Sequence, residues 1–85
     1  MQTFVYTISD ESGIHARPAG LLAQTAKKFT SEIQIEKDGH SVDAKNLMLI
    51  MSLCAKCGET ISISADGDDE LDAIKAIEEF LKENL

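Results

Sequence analysis

The residues able to do chemistry in this chain fall in two short stretches. In Gly13-Ile14-His15-Ala16-Arg17-Pro18-Ala19 an imidazole and a guanidinium stand two positions apart, where turn residues give way to a helical pattern. Pro18 suits the first turn of a helix, whose N–H groups lack intrahelical partners. The end formed by Ala16 and Pro18 should therefore present free backbone donors and positive partial charge, which attract phosphate. A neutral imidazole nitrogen is a competent nucleophile near physiological pH. Arg17 adds a planar fork of donors that fits phosphate better than a lysine would. The positive helix end should disfavour the imidazolium of His15 and stabilise a phosphoryl group after its arrival. A single histidine before a helix is more often a polar loop residue than a nucleophile, so on these residues alone both readings stand.

The second stretch is Cys54-Ala55-Lys56-Cys57-Gly58, a lone C-x-x-C. A structural zinc site needs four ligands, and neither a second cysteine pair nor a histidine pair is present, so no metal is expected. Two cysteines do not make a disulfide framework. No helix N-terminus is predicted at Cys54 to lower its pKa, which argues against a redox role but leaves a small thiol-disulfide protein as a competing reading. His40 follows a turn with no partner nearby in sequence and reads as structural or solvated.

The elements that must position these residues can be read from periodicity. Phe4, Tyr6 and Ile8 alternate with more polar neighbours as in a strand, and Ser9 to Gly13 break the pattern. From Pro18 to Lys28 the apolar residues Ala19, Leu22, Ala23, Ala26 and Phe29 recur at helical steps. Ile33 and Ile35 restore the strand period, Asp38-Gly39 marks a tight hairpin, and His40, Val42 and Ala44 form its return strand. Asn46 can cap a short helix reaching Leu53. Ile61, Ile63 and Ala65 define another strand. Asp68 or Asp69 can cap a last helix carrying Leu71, Ile74, Ile77, Phe80 and Leu81 on its apolar stripe. The order β-α-β-β-α-β-α, with one apolar face per strand, predicts an α+β fold: an antiparallel sheet covered on one side by helices.

Composition narrows the function classes. At 85 residues, 44% hydrophobic and 27% charged, the chain has the balance of one soluble globular domain, residues 1–85. A net charge of −7 argues against nucleic-acid or anionic-membrane binding. No apolar run is long enough to span a bilayer, and Met1-Gln2-Thr3-Phe4 does not open like a signal peptide, so a cytoplasmic protein is expected.

A docking surface can also be anticipated. At about 100° per residue, Arg17, Gly20, Leu21, Gln24 and Lys28 lie opposite the apolar stripe of the first helix, with Lys27 at the border. Leu47, Met48, Leu49, Ile50, Met51 and Leu53 are more apolar residues than one short helix can bury. Some should be exposed, and methionines adapt to several partners. Gly20 would permit close approach beside His15. The expected patch is Gly20, Leu21, Gln24, Lys27, Leu47, Met48 and Met51.

At these residues the chain resembles a known family. Gly13 to Ala19 is similar to the active-site signature of the histidine-containing phosphocarriers (HPr) of the phosphoenolpyruvate-dependent sugar phosphotransferase system. Asp43-Ala44-Lys45-Asn46-Leu47-Met48 through Met51-Ser52-Leu53 resembles the family's second signature. The resemblance implies an open-faced β-sandwich: four antiparallel strands with three helices on one face. It implies a phosphoryl carrier, not an enzyme with turnover of its own, that needs no cofactor. The carrier would accept phosphate from phosphorylated enzyme I on His15, through Nδ1, with Arg17 contacting the phosphate. It would then pass the group to enzyme IIA domains for sugar uptake, acting as a monomer. A regulatory relative that binds partners without transport flux is the alternative.

Two positions depart from the family pattern. Where many members carry a serine phosphorylated by a regulatory kinase, this chain has Asn46, which has no hydroxyl. Where the family usually has glycine after the second helix, this chain has Cys54, so a different backbone conformation is expected there.

Overall fold

The computed structural model describes residues 1–85 and has the expected element order. The strands are β1 (Gln2–Thr7), β2 (Glu32–Lys37), β3 (His40–Asp43) and β4 (Thr60–Asp66), and the helices are α1 (Ala16–Lys27), α2 (Leu47–Ser52) and α3 (Glu70–Asn84). The four strands form one antiparallel sheet in the order β1-β4-β2-β3. Register aligns Phe4 with Ile63, Tyr6 with Ile61, Ile33 with Ala65, and Ile35 with both Ile63 and Val42. These residues therefore share one face of the sheet, because side chains alternate along a strand. All three helices pack their buried residues into the same cluster as that face. The opposite face carries Thr3, Val5, Ser62, Ser64 and Gln34 and has no covering layer.

Local chemistry explains most boundaries. Asp38 and Gly39 both adopt positive φ, 51° and 84°, as a two-residue turn between twisted strands requires. Asn46 caps α2 by accepting the Leu49 N–H at 3.1 Å. α1 starts two residues before Pro18, so His15 is its N-cap, and both α1 and α2 end one residue earlier than their patterns suggest.

Two expectations about α3 need correction. Leu71 is 60% exposed; the buried stripe runs through Ala73, Ile77 and Leu81. At about 100° per residue Leu71 lies roughly 120° from the centre of that stripe. Asp69 does occupy the N-cap position, but its side chain makes no capping bond. Its carboxylate instead accepts the N–H groups of Thr30 (2.8 Å) and Ser31 (2.9 Å) and the buried Ser31 hydroxyl. The end of α3 is thereby tied to the turn between α1 and β2, and these donors hold the Asp69 carboxyl at a pKa of about 2. Glu70 accepts the Gly67 N–H at 3.2 Å, which ties the turn before α3 to the start of the helix.

Candidate functional site

His15 is presented by a loop that is fixed at both ends. On one side, Ser9 and Asp10 donate their backbone N–H groups to the main-chain oxygen of Leu85, at 2.6 and 2.9 Å. On the other side Ile14, buried in the core, donates its N–H to the Ala55 carbonyl at 2.9 Å. Gly13 has a φ of +65° and lies so close to Ala55 and Lys56 that a side chain would collide with their backbone. The loop thus rests on the turn that follows α2.

That turn has its own support, which the sequence pattern did not reveal. The Lys37 ammonium donates to the carbonyls of Leu53 (3.0 Å) and Cys54 (3.1 Å) and pairs with Glu59 at 3.2 Å. It thereby satisfies carbonyls at the C-terminal end of α2 from the neighbouring strand. Cys54 has a φ of +52°, the left-handed conformation natural to glycine. The backbone at this position therefore keeps a glycine-like form although the side chain is a cysteine, contrary to expectation. Cys54 and Cys57 are both exposed free thiols.

At the apex of the loop, His15 has extended backbone angles and an imidazole about half exposed to solvent. It makes no side-chain capping bond to α1. The first helical N–H to find a partner is that of Ala19, bonded to the His15 carbonyl at 3.0 Å. Pro18 has no N–H, so the donors of Ala16 and Arg17 are left for an outside acceptor. Arg17 is exposed, and the chain's five ion pairs do not include it. Its guanidinium is therefore available to an anion.

His15 and Arg17 line a shallow pocket of about 280 Å³ together with Pro18 and Leu21. The remaining walls are Asp10, from the loop before His15, and Glu83 with Asn84, from the last turn of α3. Sequence spacing missed these three, because only folding, with Ser9 and Asp10 bonded to Leu85, brings the end of α3 beside the loop. The surroundings are consequently mixed in charge, not purely basic: Asp10 Oδ2 stands 4.0 Å from His15 Nε2.

The apolar residues of α2, together with Leu21, divide as the density argument anticipated. Ile50 and Leu53 are buried, whereas Met48 is 72% exposed and Leu21, Leu47 and Leu49 each about two-fifths. Met51 is only half-buried and packs against the core, so it contributes an edge and not a free anchor. Gln24 and Lys27 are exposed, and the space around Gly20 is open. His40 is exposed at the start of β3.

Comparison with known proteins agrees with this architecture. The family described as "PTS HPr component phosphorylation site" matches residues 2–83. The chain is 46% identical to an HPr of Thermoanaerobacter tengcongensis, with a TM-score of 0.92 over 96% of this chain and 92% of that one. It is 39% identical to the histidine-containing phosphocarrier protein of Mycoplasma, with a TM-score of 0.94 over 96% and 93%. It is also 36% identical to Crh of Bacillus subtilis, a catabolite-repression protein whose crystal structure is a swapped dimer, with a TM-score of 0.79 over 94% and 92%. The fixed loop, the histidine at the head of α1 and the open-faced sheet thus belong together: the chain is a member of the HPr family of phosphocarrier proteins.

Proposed function

We propose that His15 is the phosphoryl acceptor of this phosphocarrier, taking the group from phosphorylated enzyme I and delivering it to enzyme IIA domains that serve sugar uptake. The observation that carries this reading is the exposed His15 ring beside two unpartnered helix N–H groups and an unpaired Arg17. In the transfer, the Nδ1 lone pair attacks the donor's phosphorus. The new N–P bond forms as the donor's bond to phosphorus breaks, and the donor keeps that electron pair. The N–H groups of Ala16 and Arg17 and the Arg17 guanidinium then hold the phosphoryl oxygens. In this reading the carrier acts as a monomeric, single-domain cytoplasmic protein, although the related Crh crystallised as a swapped dimer.

Leu21, Leu47 and Met48 supply apolar anchors for the partners, with Gly20, Gln24 and Lys27 around them and Met51 at the edge. Asn46 offers no hydroxyl, so the serine kinase that regulates many relatives finds no acceptor at this position. The regulatory alternative, binding without transfer, gains support from the likeness to Crh, but the intact pair His15 and Arg17 favours the carrier.

Intact mass after incubation with phosphoenolpyruvate and enzyme I tests the reading. One phosphate should be gained, lost again in mild acid, and never acquired by His15→Ala, which should still melt cooperatively. Acceptance by the His15→Ala variant would sink the proposal.

A further inference from the structure

The geometry points to Asp10 as the residue that sets the tautomer of His15. Its carboxylate is not a loose surface group. Oδ1 accepts the Ser12 N–H at 3.0 Å, its own carbonyl accepts the Gly13 N–H at 2.9 Å, and its N–H is held by Leu85 at 2.9 Å. With Oδ1 engaged and the backbone fixed on both sides, Oδ2 faces His15 Nε2 at 4.0 Å across the pocket. That separation is longer than a hydrogen bond, and catalytic bonds are commonly long before a reaction partner arrives.

A neutral imidazole carries its proton on one nitrogen only, and a carboxylate facing one of them draws the proton there. Asp10 therefore keeps hydrogen on Nε2 and leaves the lone pair on Nδ1, the nitrogen assigned above to the attack. The same logic orients a catalytic histidine in hydrolase triads, where the carboxylate holds the tautomer and does not take the proton.

Asp10 acts in both directions of transfer. When Nδ1 forms its bond to phosphorus and Nε2 keeps its proton, the ring becomes cationic. The Asp10 carboxylate then balances a charge that the positive end of α1 opposes. In the onward step the N–P bond breaks, its electron pair returns to Nδ1, and a neutral imidazole leaves instead of an imidazolate. Of the two carboxylates that line the pocket, Asp10 and Glu83, only that of Asp10 comes within 4.0 Å of an imidazole nitrogen. Asp10 is thus a positioning residue, acting on phosphorus only through the ring.

This inference rests on the transfer role proposed for His15, yet its first test does not need transfer. The side-chain nitrogens of 15N-labelled His15 report the tautomer directly in the unphosphorylated protein, at a pH where the ring is neutral. Wild type should show predominantly Nε2–H, and Asp10→Asn and Asp10→Ala should move population toward Nδ1–H. Asp10→Asn can still accept the Ser12 N–H, so it separates loss of charge from loss of the loop. Phosphoryl acceptance should fall about tenfold in both variants, with partial recovery in Asp10→Glu. An unchanged tautomer ratio in Asp10→Asn overturns the inference whatever the transfer rate does. Failure of wild type to accept phosphate would overturn the carrier role while the nitrogen spectra still decided the tautomer question.

Discussion

Ile14 donates its backbone N–H to the carbonyl of Ala55 at 2.9 Å, and this bond seats the His15 loop on the turn after α2. Gly13 makes the approach possible, since a Cβ there would stand 2.9 Å from Lys56 Cα and closer still to the Ala55 carbonyl. Both obstacles are backbone and cannot swing aside.

Gly13→Ala should therefore combine left-handed strain with a clash, costing about 2 kcal/mol or more and displacing His15. Gly39→Ala is the control. It shares a positive φ of 84° but meets open space, so it should cost only the conformational strain, about 1 kcal/mol. Denaturant midpoints and transfer rates of the two variants check this. Equal destabilisation would mean that the Ala55 contact is not what demands glycine at position 13.

Arg17→Ala should slow phosphoryl acceptance without abolishing it. A charge-assisted hydrogen bond contributes about 1.5–3 kcal/mol, roughly ten- to a hundredfold in rate. Arg17→Lys should recover part of the loss, because a point charge remains but the two-pronged geometry does not. Stability should not change in either variant, since Arg17 is exposed and outside the chain's ion pairs. Wild-type rates in Arg17→Ala would remove it from the mechanism.

Asp69 gives the fold a dependence on pH whose direction can be worked out. Its carboxyl is held at about 2, below the ordinary 3.8, first by the Ser31 hydroxyl and then by the Thr30 N–H. The folded state thus binds this proton less readily than the unfolded chain. The resulting stability is fully present above about pH 4 and lost as pH falls through about 2. Asp69→Asn should lower the Tm near neutral pH, and its gap to wild type should close between those two values. A gap that stays constant across that window would show that the bonds matter but the charge does not.

How much of this was legible in the sequence depended on whether a signal was local. Asn46 as cap, Asp38-Gly39 as turn and the α1 stripe of Ala19, Leu22, Ala23 and Ala26 are encoded within a few residues of where they act and stand as read, whereas Phe29 lies past the end of α1 and is only half-buried. Asp69 was placed at the right helix end but given the wrong partners, because its donors lie 38 and 39 positions away in a turn that only folding brings near. Lys37 under the turn after α2 and Glu83 in the pocket were unreadable for the same reason. Leu71 failed differently: it is apolar and adjacent to a true stripe, yet helical geometry turns it to solvent. At the site, His15 and Arg17 were visible from spacing, whereas Asp10 looked like one more turn residue until its distance from the ring was known.

The docking surface makes the last prediction, and it turns on contrasting three apolar residues. Leu21 and Met48 are 41% and 72% exposed, so a charge there should leave stability within about 0.5 kcal/mol of wild type. Leu21 nevertheless lines the pocket with His15, and Met48 lies on α2, which packs against α1; truncating an interface anchor typically costs more than about 1 kcal/mol of binding. Leu21→Asp and Met48→Asp should therefore weaken association with enzyme I roughly fivefold or more, read by calorimetric titration. Met51 is half-buried against the core, and Met51→Asp must desolvate a carboxylate there or pull the end of α2 away. That variant should lose about 1–3 kcal/mol of stability, read by chemical denaturation, with any binding loss following from unfolding. If Leu21→Asp and Met48→Asp bind as well as wild type, the partner docks elsewhere and the exposed apolar residues of α2 need another explanation.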